Sequence, residues 1–247
     1  MKAFWDRTQN FGDKLGPWLI QRITGKPVEF SAGSDSDPVH VSTGSILNVS
    51  VNGSVVWGAG FARCTDPVVS HSRICAVRGP QSRAKLLAYG IECPNVFGDP
   101  AILLPRFLQG SKTKRDCLAV IPHYADYYAV KEAYGALAGV QVVRLKDSVE
   151  EVVRQITECS AAISSSLHGM IAAHAYGIPC QWVKFSDKVE GCGFKFHDYF
   201  SSGGLPMVNP LDLSSVPVIE ESFSSQIPKS MPAINADALW DACPFKP

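Results

Sequence analysis

The chain has no excess charge of either sign. In 247 residues, 23 Lys and Arg are matched by 23 Asp and Glu. Binders of nucleic acid normally carry a basic surplus, so nucleic acid is excluded as the partner of the molecule as a whole, although a local basic pocket is not. The eight cysteines (Cys64, Cys75, Cys93, Cys117, Cys159, Cys180, Cys192 and Cys243) form no Cys-x-x-Cys pair. Several lie beside apolar strand candidates, as in Arg73-Ile-Cys-Ala-Val77, and read as buried, reduced thiols of a cytosolic protein. No His, Cys or Asp spacing matches a zinc or EF-hand pattern, so no metal is expected. No apolar signal core follows Met1, and no apolar run is long enough to cross a bilayer. These absences predict a cytoplasmic protein. No internal repeat is evident.

What the chain does have is a globular composition, 46% hydrophobic, and enough length for one large domain or two small ones. Strand candidates are Lys2–Trp5, His40–Thr43, Ser54–Trp57 and Arg73–Val77. Between the first two, Asn10-Phe-Gly-Asp13 opens a helix through Leu15, Leu19 and Ile23 that stops at Gly25. Gly79-Pro80 opens another, through Ala84 and Leu87 to Gly90. The stretch Gly98–Lys114, with Pro100, Pro105 and Gly110, reads as a linker. Beyond it the order is strand Asp116–Ile121, helix Tyr127–Ala138, strand Val140–Leu145, a capping box at Ser148-Val-Glu-Glu151 with its helix, strand Ala161–Ile163, a second helix, and strand Cys180–Val183. This alternation means parallel sheets covered on both faces, with ligands beyond the carboxyl ends of the strands. The expected class is α/β with two Rossmann-like parallel-sheet halves, residues 1–112 and 113–247. The tail from Gly203 is expected to end in a short helix near Asn235–Cys243 and to pack back on the N-terminal half.

The most informative stretch runs from Ile163 to Gly177. An apolar strand enters Ser164-Ser165-Ser166, then Leu167, His168 and Gly169 open an Ala-rich helix. A helix N-terminus attracts anions, because its first N–H groups lack acceptors and the macrodipole is positive there. His168 is the leading acid/base candidate, and the serines are candidates for capping and for ligand contact. Arg78 ends a strand where a guanidinium can grip an oxyanion; Arg83 reads as a structural charge. Asn10, Gly12 and Asp13 start the first helix. Gly58 and Gly60 suggest close approach of backbone to a ligand. His123 and Tyr124 follow a strand on the ligand edge, and Lys195 and His197 are further candidates. His174 and the five tryptophans read as core or tail anchors, with Trp57 also a candidate to stack on sugar.

In sequence order, Asn10-Phe-Gly-Asp13, Gly44-Ser-Ile-Leu47, Val56-Trp-Gly-Ala-Gly-Phe61, Val77-Arg-Gly-Pro80, Gly98-Asp-Pro-Ala101, Ile121-Pro-His-Tyr124, Ser164-Ser-Ser-Leu-His-Gly169 and Phe194-Lys-Phe-His-Asp-Tyr-Phe200 cover nearly the whole chain. Any one of these motifs is weak, but the ordered set resembles the polysaccharide pyruvyl transferase family. The resemblance implies two halves facing a cleft, similar to glycosyltransferases of the GT-B type. It also implies transfer of pyruvate from phosphoenolpyruvate to two hydroxyls of one sugar, giving a cyclic ketal in exopolysaccharide or cell-surface polysaccharide biosynthesis. The donor is then a substrate and no cofactor is needed. The acceptor would be a glycan or lipid-linked oligosaccharide, with at most peripheral contact at the inner face of a membrane. Under this reading His168, Arg78 and Asp13 are the catalytic candidates. Ser164, Ser165, Ser166, Leu167, Gly169, Asn10, Gly12, Gly58, Gly60, His123, Tyr124 and Lys195 are the substrate-binding candidates. Some relatives carry Arg where this chain has Ser166, which removes a cation from the donor site. The alternatives are a GT-B glycosyltransferase using a sugar nucleotide and a non-catalytic glycan-binding relative.

Overall fold

A computed structural model describes residues 1–33, 38–49, 52–189, 191–215 and 227–246. The chain divides into two compact units. The first comprises Met1–Phe107, Gly191–Met207 and Pro232–Pro247, and the second Leu108–Glu190 and Val208–Met231.

The first unit is built on a parallel sheet with order β2-β1-β3-β4-β5, where β1 is Lys2–Ala3, β2 Glu29–Phe30, β3 His40–Val41, β4 Ser54–Trp57 and β5 His71–Ala76. Neighbouring residues of β4 enter different apolar clusters. Val56 joins Val41, Leu47, Phe61 and Leu86, while Trp57 joins Ile20, Ile23, Leu103 and Leu239. The sheet is therefore buried on both faces, because successive strand side chains point to opposite sides. Helix α1 (Phe11–Thr24) buries Phe11, Leu15, Leu19 and Ile23 at four-residue spacing and stops at Gly25, whose φ of 68° suits glycine. Helix α2 (Pro80–Ala88) follows β5.

The second unit carries the order β10-β9-β8-β6-β7, again parallel. Here β6 is Leu118–Ile121, β7 Val140–Val142, β8 Ala161–Ser164, β9 Cys180–Lys184 and β10 Leu211–Asp212. Helices α3 (Tyr127–Tyr134), α4 (Val149–Glu158) and α5 (Leu167–Ala175) connect them. Leu118, Val120, Ile163 and Val183 meet Val130 and Tyr134 of α3 in one core.

Two Rossmann-like parallel sheets are present as expected, with differences in detail. The stretch Gly98–Lys114, read as a linker, does carry the crossing from the first unit to the second at Phe107–Leu108, but its first part is ordered and buried. It contains a 3-10 turn, Pro100–Arg106, that buries Ala101, Leu103 and Leu104, and its prolines shape a tight turn into the core. Helix α6 (Phe194–Ser202) and helix α7 (Ala236–Asp241) both belong to the first unit. The expected 1–112 and 113–247 halves thus differ from the units in three segments. In α7, Leu239 accepts a 2.8 Å bond from the Trp57 indole, so Trp57 is core and has no face for sugar. At Ser148 only half of the capping box forms. Ser148 accepts from the Glu151 N–H, but the Glu151 carboxylate is taken by Arg154 and Gln155. Six of the eight cysteines are buried, and Cys64 and Cys192 are exposed. No helix among the described residues is long and apolar enough to cross a membrane.

Burial also sets a pH dependence. Desolvation pushes the pKa of His174, buried in α5, down to about 4, and does the same to His71. In the unfolded chain a histidine titrates near 6.5. The neutral native form therefore contributes stability above that value, and this is lost as pH falls toward 4 because the unfolded state takes up protons first. His174→Gln should flatten the stability profile between pH 6.5 and 4, where the wild type loses about 3 kcal/mol at this position. Urea titrations across that range check the slope; parallel profiles would exclude the assignment.

Candidate functional site

In an open parallel sheet, ligands bind beyond the carboxyl ends of the strands, where the chain reverses direction along the sheet. In the second unit β6 runs to β7 on one side, and the chain returns across it to β8 on the other. The carboxyl ends of β6 and β8 therefore form the switch point, and the Ser/His turn lies there.

The turn is tied down by its own hydroxyls. Ser164 Oγ accepts from Ser166 N at 3.0 Å and lies within donor distance of the Ile121 carbonyl (3.0 Å) and the Ser166 carbonyl (2.8 Å). Ser165 Oγ accepts from His123 N at 2.9 Å, bridging the switch point. Ser166 is the N-cap of α5, accepting from Gly169 N. All three serines are buried. Their hydroxyls shape the turn, with Ser166 as the helix cap. Leu167 is buried as well, and its side chain offers nothing to a ligand. Gly169 is required by packing, since a Cβ there would lie 2.5 Å from Ile121 Cγ2. His168, half-buried at the second helical position, is the imidazole at this helix start. The Leu167 and His168 N–H groups fall in the first turn, where a helix supplies no internal acceptor.

Around the turn the same edge carries other groups. The His123 ring lies 4.2 Å from that of Tyr124, which is 36% exposed. Asp126 accepts from Ser186 Oγ at 2.5 Å through Oδ1, while its Oδ2 is buried with no hydrogen-bond partner. Sequence reasoning missed Asp126; its position after the His-Tyr motif was the available signal. It also missed Arg144 and Lys146, which follow β7 and line a pocket with Tyr124, Tyr127 and Tyr128.

The candidates of the first unit fare differently. Arg78 is fully buried. Its guanidinium donates to Asp198 Oδ2 (3.1 Å from Nε), Ser45 Oγ (2.7 Å) and the Phe61 carbonyl (2.6 Å). It holds α6 and two loops together and is not presented to an anion, which corrects the oxyanion-gripping role. Asp198 also accepts from Ser82 N (2.9 Å) and Ser82 Oγ (2.7 Å). Ser82 is in the first turn of α2, whose N-cap Gly79 has no side chain to cap with. A carboxylate of α6 thus occupies the first turn of α2, where a helix attracts an anion. Gly58 and Gly60 are likewise filled by protein. A Cβ on Gly58 would lie 2.2 Å from Pro100 Cδ, and one on Gly60 2.5 Å from Arg78 Cζ. Asn10 and Asp13 form a complete capping box, and the Gly12 carbonyl accepts from Thr43 Oγ1. These contacts explain why the three residues start α1. Gln9 beside them has a φ of 59°, uncommon outside glycine. Arg83 donates to the Cys93 carbonyl at 3.0 Å, a structural role. Lys195 and His197 are half-buried on α6, in the turn before Asp198. Among the described residues no cluster of three or more His, Cys, Asp or Glu is placed to hold a metal.

Comparison with known proteins gives this geometry a context. A family model described as polysaccharide pyruvyl transferase matches residues 17–184. The chain is similar to the uncharacterized protein L143 of Acanthamoeba polyphaga mimivirus, 28% identical over 205 residues, which are 79% of this chain and 71% of that protein. It is also 28% identical over 220 residues to the succinoglycan biosynthesis protein ExoV of Rhizobium meliloti (strain 1021), covering 83% of this chain and 66% of ExoV. No solved structure matches.

Proposed function

Because the chain belongs to the polysaccharide pyruvyl transferase family, we propose that it moves the pyruvyl group of phosphoenolpyruvate onto two hydroxyls of one sugar in a glycan or lipid-linked oligosaccharide, as a cyclic ketal. The observation that carries this reading is the half-buried imidazole of His168 at the α5 N-terminus, on the switch point of the second sheet. A donor with a phosphate and a carboxylate needs fixed N–H groups, and the first turn of α5 supplies them. Protonation of the donor's methylene carbon by His168 leaves positive character on the adjacent carbon. One sugar hydroxyl attacks there and gives up its proton, phosphate leaves, and the second hydroxyl closes the ring. Asp126, with a buried carboxylate oxygen to satisfy, is the candidate base on the same edge. Arg78 acts in this scheme only by holding its own unit together.

Incubating the chain with carbon-14 phosphoenolpyruvate and extracted lipid-linked oligosaccharides should give acid-labile label in the glycan and one phosphate per label. Sugar incorporation from a nucleotide donor, with no pyruvate transfer, would instead support the glycosyltransferase reading. Neither transfer in the presence of acceptor binding would support the glycan-binding one.

A further inference from the structure

Beside the Ser/His turn, the neighbouring loops of the same edge form a second feature. Tyr124, Tyr127, Tyr128, Arg144, Leu145 and Lys146 enclose a pocket of about 120 Å³. It lies between the β6–α3 loop and the segment after β7. Two features point to one ligand chemistry. Tyr128 is 76% exposed, though a tyrosine in the first turn of a helix gains nothing from standing in water. The two cations are held over ring faces, Arg144 over Tyr127 at 5.8 Å and Lys146 over Tyr124 at 5.6 Å, which fixes charge beside aromatic surface. Among the described residues no carboxylate lines the pocket; Arg144 forms an ion pair with Asp147 at 3.7 Å, three residues on.

Cations beside exposed tyrosine faces fit an anion attached to a ring with an apolar face. We propose that this pocket binds the phosphorylated sugar of the acceptor, its phosphate between Arg144 and Lys146 and its ring against Tyr128. The proposal rests on the pyruvyl-transfer reading for the word acceptor, but not for the binding itself. The same chemistry occurs in a lipid-diphosphate-linked saccharide and in a nucleotide sugar.

Ligand-observed NMR on the full chain tests it with glucose 1-phosphate, inorganic phosphate, methyl glucoside and UDP-glucose. Glucose 1-phosphate should bind more tightly than either phosphate or methyl glucoside. Arg144→Gln and Lys146→Gln should each weaken it about tenfold, the loss of one charge-assisted bond. Tyr128→Ala should weaken it about threefold without changing inorganic phosphate binding. These side chains are exposed, so the variants should fold. UDP-glucose binding more than tenfold tighter, with the same losses in the variants, supports the site and assigns the nucleotide sugar as its ligand. Similar affinity for the two supports the site and assigns the sugar-phosphate head of a lipid-linked saccharide. Equal affinities in wild type and all three variants overturn the proposal. A parallel titration with phosphoenolpyruvate separates the two readings. Donor binding without glucose 1-phosphate binding removes only the pocket, and the reverse removes only the donor assignment.

Discussion

His168→Gln should lower pyruvyl transfer by about 10²- to 10⁴-fold, the range a positioned acid or base contributes, while leaving the fold intact. The local structure makes this a clean test. The imidazole is half-buried at the start of α5, and the turn beneath it is held by Ser164, Ser165 and Ser166 through bonds that do not involve the His168 side chain. Glutamine keeps a hydrogen-bonding group of similar reach but cannot deliver a proton at neutral pH. Steady-state kinetics with phosphoenolpyruvate then divide the two roles open to an imidazole at this position. A loss in kcat with KM unchanged assigns proton transfer, whereas a rise in KM with kcat retained assigns phosphate binding. Wild-type values for both would remove His168 from the mechanism.

The largest effect on stability is expected at Asp198. Its carboxylate takes the Arg78 guanidinium and both the N–H and hydroxyl of Ser82, with both charged side chains fully buried. Removing one partner of a buried ion pair leaves the other charge unsolvated and costs about 3–5 kcal/mol. Asp198→Ala should therefore lower the melting temperature by roughly 10 °C in a chain of this size, more than Arg83→Ala, which loses one bond to a carbonyl. The double variant Arg78→Met, Asp198→Leu should recover much of the loss, since an apolar pair removes the stranded charge. If Asp198→Ala melts with the wild type, the carboxylate does not hold α6 to α2 and the positioning role given to Arg78 fails with it.

The contrast between these residues shows which features were legible in the sequence. The Ser/His turn was read correctly as a strand-to-helix turn, because an apolar strand, a capping residue and an apolar helix all signal within a few positions. The same local logic found α1 through its Asn10 cap and Gly25 stop. Arg78 was read from its place at a strand end, which was correct, but its partner was not visible. Asp198 is 120 residues away, on a helix whose Phe-rich motif gives no sign of packing against α2. The glycines of the Trp57-Gly-Ala-Gly-Phe61 motif were read as room for a ligand when that room holds Pro100 and Arg78. The linker reading of Gly98–Lys114 found the crossing between the units at Phe107–Leu108 but missed the buried turn at Pro100–Arg106, because proline and glycine mark both connecting chain and tight buried turns, and only burial distinguishes them.

The sequence by itself determined the α/β class, the parallel character of both sheets and the placing of His168 at a helix start, because periodicity and caps act over three or four residues. The sequence also anticipated that the tail helix α7 packs on the first unit. Tertiary structure alone decided that α6 joins that unit, that Asp198 fills the niche beside Arg78, and that Tyr124, Tyr127, Tyr128, Arg144 and Lys146 share one pocket. Those outcomes depend on which distant elements bury their apolar faces together, and no short window of residues carries that information.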